Sequence, residues 1–389
     1  MTPIKKIVLG VETSCDETGL SLVEASGGIH APQFLVLKNL VTSQVKIHAP
    51  FGGVVPNLAK REHVKNLPVL LRKILGISKS EFLISKQNSS SKFKIPKIDM
   101  IAATVGPGLE PALWAGITFA KKLGKELKIP VIGANHLEGH LYSFLLPRKS
   151  SRIEVRGSKK KSNRTSNISS ISNISNIFPA IALIVSGGHT ILLKMDSLAK
   201  WKKLGETRDD AVGEAFDKVA RLLGLLYPGG PALEKLALSL PKGRKPSINF
   251  PRPMMHHKSY DFSFSGLKTA VLYYLRDTNI RMRANDTNST NKTDIAASFQ
   301  QAAIHVLITK TLRAAKEFRA KSVMLSGGVA ANKFLRRALS QEARKAGLAF
   351  FVPEFNYNTD NAAMIAAAGY LAHLRGKKYK LVARGDLTI

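Results

Sequence analysis

The sequence predicts an α/β protein built as two similar lobes, and two observations carry that expectation. First, short apolar segments of strand character alternate with longer segments in which apolar residues recur at spacings of three and four. Second, one unit occurs twice: an apolar strand, a turn of small polar residues, and a return strand. Ile7–Val11 is the first such strand, with the turn Glu12–Thr18 and the return strand Gly19–Val23 after it. Pro179–Val185 begins the second copy, with Ser186-Gly187-Gly188-His189-Thr190 as its turn and Ile191–Lys194 as its return strand. Met100–Val105 and Val323–Leu325 read as further buried strands. Ala112–Leu127, Ala215–Leu223, Ile295–Phe318 and Ala362–Leu374 read as helices. Mixed folds of this kind bind ligands near the strand ends.

A length of 389 residues suggests two or three domains. Apolar residues at 44 % and charged residues at 22 % exclude global disorder and a small disulfide scaffold. No apolar run approaches the ~18–20 residues of a membrane span. With a strand starting at Ile7, no signal or transit peptide is expected. Cys15 is the one cysteine and has no internal partner, so a reducing cytoplasm is the expected location. The net charge of +32 is the unusual feature, because a chain this basic concentrates polyanions around itself. Nucleic acid fits better than a membrane surface, since no long amphipathic helix pairs a basic face with a bulky apolar one.

Three polar stretches are expected to be loops or insertions: Ser85–Lys94, Arg148–Asn176 and Asn285–Thr293. The second opens with a run of lysines and arginines and then becomes a Ser/Asn tract carrying Ile168, Ile171 and Ile174. Such composition buries too little apolar surface to offset ordering entropy, so disorder is favoured over a short helix lined by the isoleucines at spacing three, with a basic arm for nucleic acid as a further alternative.

Several motifs can carry chemistry. Gly327-Gly328-Val329-Ala330-Ala331-Asn332 follows a strand and runs into a helix, letting the backbone approach an anionic or polar ligand edge. Ser186–Thr190 is a second such loop and Tyr227-Pro228-Gly229-Gly230-Pro231 a third; together they favour a nucleotide cleft. His136 and His140 stand one helical turn apart and can share a divalent cation. Glu138 lies about 200° around that helix from His136, unlike the glutamate of a zinc peptidase. Asp360 is a candidate third ligand, or else a helix-start aspartate before Ala362–Leu374. Glu12, Asp16 and Glu17 crowd one turn, where their pKa values should be perturbed. Asp217 can read a ribose hydroxyl or pair with Lys218 or Arg221.

Taken in order, Val11–Thr18, Gly52-Gly53-Val54-Val55-Pro56, Gly106-Pro107-Gly108-Leu109, His136–His140, Ser186–Thr190, Gly213–Lys218, Tyr227–Pro231, Asp261–Thr269, Gly327–Asn332 and Thr359-Asp360-Asn361 resemble the tRNA N(6)-adenosine threonylcarbamoyltransferases, the TsaD or glycoprotease family. The resemblance implies the two-lobed fold of actin, sugar kinases and heat-shock ATPases, with an adenylate between the lobes. It implies transfer of threonylcarbamoyl from threonylcarbamoyl-AMP to the exocyclic amine of the adenosine 3′ of the anticodon, in tRNAs reading codons that start with A. It implies His136, His140 and Asp360 as ligands of one Fe(2+), with Zn(2+) as a substitute. Ile184, Val185, Ser186, Gly187 and Gly188 match the loop that holds the donor. Asp217, Gly230 and Asn332 match adenylate contacts, and Glu234 matches an acidic ribose contact of some members. Asp16 is the expected group to orient the attacking amine or take its proton. A paralogous partner subunit and a small ATPase are the implied partners beside tRNA, with no membrane.

The expected division is a first lobe of residues 1–135, with 361–389 packing back on it, and a second lobe of 136–360 interrupted by a basic insertion at 148–177. Asn57 departs from the family pattern, where bacterial members usually carry an acid, and the insertion is longer than the usual connection. The competing expectations are a metallo-endopeptidase, a non-catalytic scaffold subunit of the same complex, and a small-molecule kinase. The kinase reading lacks an identifiable acceptor site, and the scaffold paralogues lack the histidine pair that this chain has.

Overall fold

The structure is a computed structural model that describes residues 5–76, 97–147, 174–241, 243–278 and 290–389. Two five-stranded mixed sheets form its framework. The first contains β1 (Lys6–Glu12), β2 (Glu17–Ser26), β3 (Gln33–Ser43), β4 (Met100–Gly106) and β5 (Val131–Asn135), in the order β3-β2-β1-β4-β5. The second contains β6 (Ala180–Val185), β7 (Thr190–Met195), β8 (Trp201–Glu206), β9 (Ser322–Ser326) and β10 (Ala349–Phe351), and from β8 it reads β8-β7-β6-β9-β10. The strand order and directions are therefore the same in both: a three-stranded antiparallel meander, extended on its first strand by two parallel strands. The repeat expected from Ile7–Val23 and Pro179–Lys194 is the meander's first hairpin, and four residues separate its strands in each copy, Thr13–Asp16 and Ser186–His189.

The central strands are continuous apolar runs because helices cover both of their faces. All seven residues of β4, all six of β6 and all five of β9 are buried. Strands β3, β5, β8 and β10 were not anticipated. All four are sheet edges; β8 is rich in lysine, which weakens the apolar signal, whereas β3 is apolar and leaves Leu35, Leu37 and Val41 exposed. Among the helices, Ala362–Leu374 lies as expected, while Glu110–Leu127, Val212–Leu222 and Thr290–Glu317 differ from expectation by one to five residues at an end. The helices Pro56–Leu75, Gly229–Leu238 and Ser265–Asp277 are additional.

Two of the expected disordered stretches need correction where they are described. Ile174–Ile177 forms a 3-10 turn whose isoleucines enter the core beside Leu146 and Leu198, so the polar insertion stops before Ile174. Thr290–Thr293 begins a long helix in which Lys292 and Thr293 are buried. Ser85–Lys94, residues 148–173 and residues 285–289 lie outside the described residues.

The helix Ala362–Leu374 positions the site. Its residues Ala362–Ala372 are all buried, since one side packs on β1, β2 and β4 and another on the helix His136–Tyr142. Close approach to β1 depends on Gly10, where a Cβ would stand 2.0 Å from the carbonyl oxygen of Ala362. Neither backbone can yield that distance, so Gly10→Ala is expected to cost about 3 kcal/mol, at the upper end of overpacking effects. A denaturation midpoint unchanged from wild type would contradict this packing.

Candidate active site

The site lies where both sheets present the C-terminal ends of β1, β4, β5, β6 and β9, the ends at which open α/β sheets bind ligands. Strand β5 leads directly into the helix His136–Tyr142, capped by Asn135, whose side-chain oxygen accepts from the N–H groups of Leu137 and Glu138. One face of this turn presents His136 and His140, with ring centroids 4.7 Å apart. Asp360 reaches them from the segment before the last helix, its Oδ1 3.5 Å from His136 Nε2 and 3.2 Å from His140 Nε2. Candidate ligand atoms of the three residues all lie within 4.8 Å of one another. The helix-start role open to Asp360 belongs instead to Asn361, which accepts from Met364 N–H.

His140 is fully buried, yet among the described residues neither ring nitrogen has a hydrogen-bond partner. An orphaned buried imidazole is costly unless something absent from the protein atoms binds it, and a His₂Asp set with both rings facing a carboxylate fits a divalent cation. Burial opposes a charge on His136, but the carboxylates of Asp360 and Glu12 outweigh it and push its pKa up to about 9. Burial alone would raise the Asp360 carboxyl; His136 and His140 hold it well below the usual carboxylate range. The site therefore gathers opposite charges in a dry pocket.

Glu12 is the residue whose part in this arrangement sequence reasoning missed. Its Oε2 lies 3.2 Å from His136 Nδ1 and accepts from Thr104 Oγ1 at 2.8 Å, while its Oε1 accepts from Ser14 N–H at 2.5 Å. A carboxylate on the far ring nitrogen leaves Nε2 facing Asp360 and the cation position, and fixes the ring's orientation. No local signal could reveal this, because 124 residues separate the pair. Glu12→Gln is expected to weaken metal retention about 10- to 100-fold, as measured by competition with a chelator. Retention equal to wild type would show that Glu12 does not orient the ligand.

Glu138 points elsewhere, as its helical position required. It is fully buried, forms an ion pair with Arg375, and accepts from Lys377 Nζ at 3.2 Å and from Tyr379 Oη at 2.5 Å. It is thus occupied in fastening the C-terminal segment, and is no base for a peptidase reaction.

The turn Thr13–Asp16 faces the same centre. Burial, with the charges of Asp360 and Asp16 beside it, pushes the Glu17 carboxyl well above the usual range. Burial and the charges of Asp16 and Asp360 likewise raise the Cys15 thiol. Asp16 is buried, and its Oδ2 has no hydrogen-bond partner among the described residues. His63, from the helix Pro56–Leu75, braces the turn: its Nε2 contacts the carbonyl of Cys15 at 2.9 Å and its Nδ1 contacts Thr18 Oγ1 at 2.8 Å. From the other lobe, Tyr227 faces this turn, and burial together with the Asp16 charge raises its phenol.

The second lobe contributes glycine loops. Among the described residues, nothing lies within 4 Å of where a Cβ would stand on Gly187, Gly188 or Gly328, so these loops border open space. Gly327 has φ +92°, and a Cβ there would meet the carbonyl oxygen of Val185 at 2.3 Å, which ties its loop to the end of β6. His189 completes the Ser186 loop, and burial with the nearby His136 and His140 pushes its pKa down to about 4. The Ser186 loop therefore faces the histidine pair. Ile184 and Val185 turn their side chains into two different cores, so they can offer a ligand only backbone. Asp217 accepts from Gly230 N–H at 2.8 Å instead of pairing with its helix neighbour Lys218, which binds Asp210 and Glu214. Glu234 accepts from Lys333 N–H, and Asn332 caps the helix Lys333–Lys345 while donating to Gln300 Oε1. These residues build the loops' frame. The lobes also touch directly, where Arg221 donates to the carbonyl of Gly52.

Among the described residues no helix is long and apolar enough to cross a membrane. A family model described as TsaD, tRNA N6-adenosine threonylcarbamoyltransferase, matches residues 35–153 and 166–367. A tRNA N6-adenosine threonylcarbamoyltransferase of Dictyoglomus turgidum is 43 % identical over 387 residues, covering 98 % of this chain and 99 % of its own. One from Thermosipho africanus is 41 % identical over 370 residues, covering 95 % of each. Among solved structures, full-length HypF in its phosphate- and nucleotide-bound form superposes with a TM-score of 0.52 at 12 % identity, over 98 % of this chain and 57 % of that one, a likeness of fold alone. The architecture of two similar α/β lobes expected from the sequence is thus present as two sheets of the same topology, and the chain belongs to the TsaD family of tRNA N6-adenosine threonylcarbamoyltransferases.

Proposed function

We propose that this transferase uses threonylcarbamoyl-AMP as donor and that its acceptor is the adenosine 3′ of the anticodon in tRNAs reading codons that start with A. The observation that carries the placement of the chemistry is the group His136, His140 and Asp360, whose candidate ligand atoms lie within 4.8 Å of one another. In this reading those three residues hold Fe(2+), with Zn(2+) as a substitute, and Glu12 orients His136. When bound, the ion supplies a Lewis acid for the donor's carbonyl oxygen. The amine nitrogen forms a bond to the carbonyl carbon, the bond from that carbon to the phosphate oxygen breaks, and AMP leaves with the electron pair. Asp16 holds the amine and takes the proton it loses, a role suited to its buried oxygen without a partner. The backbone of Ile184, Val185, Ser186, Gly187 and Gly188 lines the donor, and the Asp217–Gly230 frame, Glu234 and Asn332 border its adenylate.

In this reading residues 1–135 with 361–389 make one lobe and 136–360 the other. The likeness to bacterial relatives supports a cytoplasmic complex with a paralogous subunit and a small ATPase. The test mixes the chain, those subunits, threonylcarbamoyl-AMP and unmodified tRNA, and weighs the digested nucleosides. Product from wild type but not from His136→Ala/His140→Ala is expected. Equal product from both would remove the histidines from the mechanism, and no product from wild type would turn the reading toward a scaffold.

A further inference from the structure

The segment that delivers Asp360 also carries an exposed aromatic ring that the reaction has not used. Phe355 opens the 3-10 turn Phe355–Tyr357 and is 52 % exposed, whereas its neighbours Tyr357 and Asn358 are buried. The guanidinium of Arg336 lies over one face of its ring, 4.1 Å from the centroid. That arginine is held at both ends: its Nε donates to Ala330 in the glycine loop at 3.0 Å, and its Nη2 donates to Pro353 at 2.7 Å. The ring is thus backed by a fixed cationic plane and remains half exposed. Phe355 and Asp360 are five positions apart in the chain, so their Cα atoms are at most roughly 18 Å apart. Lys333 and Arg337, on the helix that carries Arg336, are exposed.

We propose that Phe355, backed by Arg336, is a stacking platform for a nucleobase of the anticodon loop next to the target adenosine. Presenting one base to a buried centre unstacks its neighbours, and RNA-binding sites replace the lost stack with aromatic rings and arginine planes. The occupant is RNA because the substrate is tRNA, the chain carries a net charge of +32, and the helix that brings Arg336 to the ring also carries the exposed Lys333 and Arg337. The arrangement extends a stack already begun: guanidinium, phenyl ring, base. It rests on the reading that the target adenosine enters at His136, His140 and Asp360.

The test uses the full chain with its partner subunits and an anticodon stem-loop RNA. Phe355→Ala and Phe355→Leu are each expected to raise KM for the RNA about 10-fold, in the range of one lost base–aromatic stack. KM for threonylcarbamoyl-AMP should stay unchanged, and Phe355→Trp should restore the RNA value. A stem-loop with an abasic nucleotide beside the target should bind wild type as weakly as it binds Phe355→Ala. Unchanged RNA KM in both variants, or loss without rescue by tryptophan, would overturn the platform. So would a defect in capturing the partner subunits with RNA affinity intact, which would make the ring a protein contact. If wild type transfers nothing, the reading of the site has failed, and fluorescence anisotropy of the labelled stem-loop judges the platform alone by the same 10-fold criterion.

Discussion

His140→Ala is expected to lower threonylcarbamoyl transfer about 1,000-fold, equivalent to about 4 kcal/mol of transition-state stabilisation. Removing this imidazole leaves His136 and Asp360, too few ligands to retain a divalent ion against solvent. Metal analysis of the purified variant should find the ion lost, and chelator-treated wild type should show the same residual rate. That agreement separates loss of the ion from damage to the fold. The ring's polar contact among the described residues is to Asp360, 3.2 Å from its Nε2, so its removal leaves the hydrogen bonds of the strands and helices intact and the secondary structure should persist. Wild-type turnover in the variant would make the pair ordinary core histidines.

The second large effect is on stability. Glu138→Ala is expected to destabilise the protein by about 3–5 kcal/mol, read from the chemical denaturation midpoint. The carboxylate is fully buried and accepts from Arg375, Lys377 and Tyr379 at once. Arg375, with a side chain 10 % exposed, would remain as a buried cation with its ion-pair partner gone. Its contact with the Trp201 ring, 4.7 Å to the centroid, stabilises the cation only in part. The double variant Glu138→Leu/Arg375→Met should regain much of the loss, since replacing both ions with apolar groups removes the penalty. A double variant as unstable as Glu138→Ala would assign the effect to packing. Glu138 shares a helix with both histidines, so transfer should fall in Glu138→Ala as well, though through the helix and not through contact with substrate.

Much of the site was legible in the sequence because its signals are local. Two histidines four apart share a helical face whatever surrounds them, and that spacing also turns Glu138 away. The glycine loops after β6 and β9 announced themselves by composition at the ends of apolar strands. The ordered motifs from Val11 to Asn361 carried the family, and the family model and the relatives agree with it. Edge strand β8 escaped because the lysines that keep an edge soluble look like loop. Lys292 and Thr293 were misplaced for a related reason: a polar run reads as solvated until partners elsewhere in the chain bury it.

By itself, then, the sequence determined the alternation of strands and helices, the duplicated hairpin, the histidine pair and the membership of the chain in its family. These follow from short-range periodicity and motif order, which survive without knowledge of contacts. Only the tertiary structure decided that Glu12 orients His136, that Asn361 and not Asp360 caps the last helix, and that Asp217, Glu234 and Asn332 hold loop and helix backbones. It alone placed Phe355 over Arg336 on the segment leading to Asp360. The reason is physical: hydrogen bonds and buried charges are satisfied by whichever group the fold brings within about 3 Å, and chain separations such as that between Glu12 and His136 leave no trace in local pattern.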